Sequence, residues 1–80
     1  MRFTVVWSAS ATDLLAELWM NATDRNAVTV AQHQIDQLLR VDPATRGVPF
    51  FGDRLLHVSP LHVTFAINPM DMIVEVYNVW

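Results

Sequence analysis

Hydrophobic residues recur along this chain with two periods, and the change between them divides it into two halves. The opening stretch RFTVVW (2–7) is β-branched and aromatic, with Phe3, Val5 and Trp7 on one beat. It predicts a strand with one fully apolar face. From Ser8 the spacing changes. Leu14, Leu15, Leu18 and Trp19 recur at helical intervals, with Ala11 and Ala22 extending the stripe over 8–22. Ser10 and Asp13 have the spacing of a capping box and predict the helix start. A second helix is predicted over 25–41, where Val28, Ala31, Ile35, Leu38 and Leu39 share a face. Asp24 or Thr23 can cap it, Arg40 suits the negative end of its dipole, and Asp42-Pro43 stops it. The two helices form an αα-hairpin.

Residues 42–54 (DPATRGVPFFGDR) hold both glycines and two of the four prolines, and predict a loop. Phe50 and Phe51 are unusual there. They either pin the loop to the core or reach a partner. Beyond the loop the period becomes two. Leu56 and Val58 share a beat, then Leu61, Val63, Phe65 and Ile67, then Val74 and Val76. Antiparallel pairing of 54–58 with 61–67 is predicted, with 72–79 added to the same sheet. The order is β-αα-βββ. It predicts an α+β, two-layer domain over 1–80, with the helical hairpin on one face of a four-stranded, mainly antiparallel sheet. Trp7 and Trp19 read as core.

Composition changes this picture in one respect. The chain has 80 residues, of which 52% are hydrophobic, and a chain this short buries only roughly 60% of its unfolded surface. Apolar surface is therefore expected to remain outside, available to a partner protein or a second copy. No apolar run approaches the roughly 18 residues of a membrane span, and the N-terminal stretch reads as a strand rather than a signal peptide. There is no cysteine for disulfides or thiolate metal sites. A cytoplasmic protein without a membrane is the expectation.

Net charge is -3, and all five basic residues are arginine. Proteins that grip a phosphate backbone gain affinity by releasing counterions from it, which takes basic surface. Strong unaided binding to nucleic acid is disfavoured. The chemistry that remains lies on the uncovered face of the sheet. If the apolar beat packs under the helices, the other beat carries His57, His62, Thr64, Glu75 and Tyr77, with Arg54 at the mouth of its first strand. Cleavage of RNA through the 2′-OH needs a base, an acid and a cation. Two histidines can supply the first two and an arginine the third. His57, His62, Arg54, Tyr77 and Glu75 are thus the candidate catalytic set. The plainer alternative is a solvated sheet face, where such residues are ordinary. His57, His62 and Glu75 could also be drawn as a two-histidine, one-carboxylate set, but nothing in the spacing fixes their distances, and no metal or cofactor is expected. Pro60 cannot adopt the positive φ of a primed two-residue turn, so the register of the Ser59-Pro60 hairpin stays open.

The chain resembles the RelE/ParE superfamily of toxins from type II toxin–antitoxin pairs, a group that includes plasmid stabilisation proteins. The resemblance rests on VVWS closing the first strand, then ATDLLAELW, DRNAV, IDQLLRVDP, the glycine loop and three closing strands. It implies a bacterial toxin held inactive by a neighbouring antitoxin. It further implies either messenger RNA cleavage in the ribosome, as in RelE-like members, or DNA gyrase as target, as in ParE-like members. A third outcome is a non-toxic homologue serving as an interaction module. Many members carry a tyrosine-arginine pair before the apolar run of the second closing strand; here Leu61-His62 stand there. Lysine, which RelE-like sites use, is absent throughout.

Overall fold

The computed structural model describes residues 2–80. Its elements are β1 (Thr4–Trp7), α1 (Ala9–Asn21), α2 (Arg25–Arg40), a 3-10 turn (Pro43–Thr45), β2 (Val48–Phe50), β3 (Asp53–Val58), β4 (Leu61–Asn68) and β5 (Ile73–Val79). The strands form one sheet in the order β1-β5-β4-β3-β2. β1 runs parallel to β5, and every other pairing is antiparallel. The two-layer α+β architecture is as the pattern predicts, with one strand more.

The fifth strand lies inside the predicted loop. Val48, Pro49 and Phe50 pair with Leu55, Arg54 and Asp53. Phe51 and Gly52, both at positive φ (48° and 87°), form the two-residue connection. Two consecutive positive-φ residues give the turn whose twist matches a hairpin. Gly47 is required at the other end: at φ +67° an added Cβ would lie 2.0 Å from the Leu55 carbonyl oxygen. Pro49 hid this strand from the pattern, because proline is excluded from a central strand but not from an edge.

The helix starts have local causes. Asp24 caps α2, its Oδ1 accepting from the Ala27 N–H at 3.0 Å. Ser8, not Ser10, caps α1: its Oγ accepts from the Ala11 N–H at 3.1 Å, and Ser10 sits inside the first turn. The helix therefore begins before the expected capping box. α2 stops at Arg40, and Asp42 before Pro43 takes a left-handed conformation, φ 50°.

The core lies between α2 and the sheet. Val28, Ala31, Ile35 and Leu39 of α2 meet Leu61, Val63 and Phe65 of β4 and Val74, Val76 and Val79 of β5. α1 contributes one fully buried residue, Ala11, with Leu14, Leu15 and Leu18 packed partly against the cluster. Trp7 packs against the core as expected. Trp19 does not: it is 42% exposed. It lies 4.8 Å under the Arg25 guanidinium, and its indole N–H donates to Thr29 Oγ1 at 3.2 Å. These polar partners on α2 hold the ring at the surface.

Candidate functional site

The β3–β4 register places His57 directly opposite His62. The His62 N–H donates to the Trp80 carbonyl at 2.7 Å, and the Trp80 N–H donates back at 2.9 Å. Both backbone polar groups of His62 therefore face away from β3. Toward β3, His57 and His62 form a non-hydrogen-bonded pair, the kind whose Cα atoms stand about 4.5 Å apart and whose side chains lie closest. The two imidazoles stack with centroids 4.0 Å apart and planes 1° from parallel. Trp80 stacks on the other face of His62, at 5.5 Å and 7°. His62 is thus sandwiched in a three-ring row across the sheet.

The rest of the candidate set is not gathered there. Glu75 pairs with Ala66, four residues along β4 from His62, roughly 14 Å at the rise of an extended chain. A register shift between Thr64 and Phe65 leaves Tyr77 without a partner residue, since Val76 and Asn78 take the positions on either side. Glu75 and Tyr77 line a separate shallow concavity with Ala66, Asn68 and Ile73. Arg54 pairs with Phe65, a core residue, so its side chain leaves β3 on the opposite side from His57. Its guanidinium donates to the carbonyls of Arg46 and Gly47, at 2.8 and 3.1 Å. Arg46 in turn donates to the carbonyls of Leu38 and Val41, both at 3.2 Å. The arginines flanking the loop clamp the β2–β3 hairpin to the end of α2. Among the described residues, no three histidine, cysteine or carboxylate side chains converge as a metal site.

The uncovered face is also drier than predicted. Cross-strand partners place Val6, Val48, Leu55, Ala66 and Ile73 on it beside the histidines. Thr64, expected to be solvated, is only 8% exposed. Trp80 was not among the expected site residues. Counting alternate positions from Val74 and Val76 puts residue 80 on the core beat; the bulge at Tyr77 reverses the count, burying Val79 and turning Trp80 outward. What this face offers chemically is a pair of stacked imidazoles, with Arg54 turned to the opposite side of the sheet.

A second exposed surface lies on the helical hairpin. Leu15, Ala16, Trp19 and Met20 of α1 face Val28 and Thr29 of α2 across an apolar groove. Met20 is 64% exposed.

No protein-family model matches the sequence, and no curated protein matches it. Solved structures do match in three dimensions. A chain of the toxin–antitoxin complex RelBE2 from Mycobacterium tuberculosis aligns over 99% of this chain and 96% of its own, with a TM-score of 0.81 and 17% identity. A chain of the chromosomal ParDE toxin–antitoxin system from P. aeruginosa aligns over 98% and 94%, with a TM-score of 0.77 and 16% identity. At this identity the likeness is one of fold, and it extends end to end: the chain is built on the RelE/ParE-like fold found in toxin–antitoxin complexes.

Proposed function

We propose that this chain is the toxin half of a toxin–antitoxin pair, held inactive by a protein encoded beside it. The observation that carries the reading is the match to chains from two such complexes, which covers 99% and 98% of this chain. The groove between α1 and α2 supports it. Leu15, Trp19, Met20 and Val28 give a partner helix or strand the aromatic and aliphatic contacts that anchor an interface. Co-expression with the product of the adjacent reading frame, followed by purification on a tag carried by that product alone, tests the pairing. Recovery of both chains, lost on Met20→Glu in a chain that stays folded, is the expected result. Failure of the two products to associate overturns it.

The ribonuclease alternative draws on one observation, the contact between His57 and His62. Two adjacent imidazoles can share the acid and base roles. The phosphate-holding cation is the missing part, since Arg54 is turned to the core side and hydrogen-bonded to backbone carbonyls. Weak or no cleavage of free RNA follows from that arrangement, because losing one charge-stabilising donor typically lowers a rate on the order of 10²–10³-fold. The assay is cleavage of RNA with and without ribosomes, for the parent chain and for His62→Ala. Efficient cutting of free RNA at pH 7 would contradict it, and a gain of cutting in His62→Arg would point to the histidine row as the reacting surface.

A further inference from the structure

The two edges of the sheet differ in their unpaired backbone groups. In the β2–β3 hairpin, Phe50 and Asp53 flank a two-residue turn and so face each other with both polar groups. Alternation then turns Pro49 outward, where its missing N–H leaves only a carbonyl on that edge. The β2 edge cannot accept a continuous ladder. Proline at an edge is one of the devices that prevents strands from adding.

β1 carries no such device. The Thr4 N–H donates to Met72 and the Ser8 N–H to Val76, so the even-numbered residues face β5. The odd-numbered residues face away. Phe3 donates to the Arg40 carbonyl, and Arg2 bridges Val41, which closes the edge at that end. At the other end α1 begins at Ala9. Between them the N–H and C=O groups of Val5 and Trp7 have no partner among the described residues. β1 holds no charge, no lysine and no proline, and Val6, on the uncovered sheet face, is 40% exposed.

We propose that this edge is the interface between two copies of the chain, joined antiparallel about a two-fold axis at Val6. Self-complementarity selects the occupant. Centred on Val6, the pairing sets Val5 opposite the partner copy's Trp7, and Trp7 opposite the partner copy's Val5. Those are the residues whose polar groups point outward, and each such pair exchanges two hydrogen bonds. Val6 meets its own copy as a non-hydrogen-bonded pair, where side chains approach most closely. Val5 beside Trp7 is the β-branched and aromatic combination that stabilises cross-strand contacts. A shift of register in either direction pushes the added strand into Arg40 and Val41 or into α1. Two five-stranded sheets become one of ten strands. The free stretch is short, so the contact belongs with small, transient interfaces and forms in a concentration-dependent way. The inference is independent of whether the chain is a toxin.

Sedimentation equilibrium of the isolated chain over a wide concentration range tests it, with amide exchange measured on the same samples. The mass is expected to rise from 9.1 kDa toward twice that value. The Val5 and Trp7 amides should slow with concentration, while those of Thr4, Val6 and Ser8 are slow throughout. Val6→Lys sets two ammonium groups against each other across the axis without touching the core, and should weaken the dimer on the order of tenfold. A chain that stays monomeric at every concentration overturns the proposal. So does a dimer that Val6→Lys leaves intact, or one in which the Val5 and Trp7 amides keep exchanging quickly; those outcomes place any self-association at the helical groove or the sheet face. If Val6→Lys does not fold, the exchange pattern of the parent chain decides alone.

Discussion

Phe51 occupies a conformation that suits few residues other than glycine and asparagine. Its φ is 48°, the residue is 93% exposed, and its ring packs edge-on against Phe50 at 4.8 Å. A β-carbon in the left-handed region costs roughly 1–2 kcal/mol, which asparagine relieves in part. Phe51→Asn should therefore raise stability by about 1 kcal/mol, measured by urea unfolding; a loss of stability would mean that Phe51 holds the hairpin in place. Gly47 is the opposite case. Gly47→Ala must bring a Cβ into the Leu55 carbonyl, which lies 2.0 Å from the ideal position. A loss of at least about 2 kcal/mol is expected in the same assay. The N-cap gives a third test at this scale. Ser8→Ala should cost about 1 kcal/mol and Ser10→Ala close to nothing, because only the Ser8 hydroxyl accepts from the first turn. Equal losses would return the cap to the Ser10–Asp13 spacing.

At the scale of elements, the sequence is readable where one physical cause dominates. Apolar spacing set α2, whose stripe of Val28, Ala31, Ile35 and Leu39 is the helical side of the core. Alternation set β3, β4 and β5, because a half-buried strand must repeat every two residues. It failed at two kinds of place. β2 is three residues long and contains Pro49, so neither length nor alternation separates it from a loop. The bulge at Tyr77 is invisible to alternation, since one inserted residue reverses every later side chain. That reversal hid Trp80 from the candidate site. The His57–His62 contact needed the register of the β3–β4 hairpin, which the Ser59-Pro60 turn left open in sequence. Arg54, expected at the mouth of the first strand of the uncovered face, precedes Leu56 by two residues and so shares the core beat, which its position at the start of the strand obscures. Trp19 falls on the apolar stripe of α1, and an amphipathic stripe does not reveal how much of it a small sheet can cover. At the centre of the packed beat, Phe65→Ala should cost about 3–5 kcal/mol and unfold much of the population, since Phe65 is fully buried between α2 and its neighbouring strands. A loss under about 1 kcal/mol would show that the core collapses around the gap.

The whole molecule combines a fold likeness that spans nearly all of the chain with a surface that is apolar on two sides and poor in cations. The helical groove around Trp19 and Met20 suits a protein partner better than a polyanion. The sheet face offers paired histidines, while the arginines at 46 and 54 serve the fold. Growth of a bacterial culture in which the chain alone is induced tests whether the free chain is a toxin restrained by its partner. Arrest on induction, with recovery when the adjacent reading frame is expressed alongside, is the expected result. Unimpeded growth while the folded chain accumulates would contradict the claim and leave a toxin-like fold put to another use.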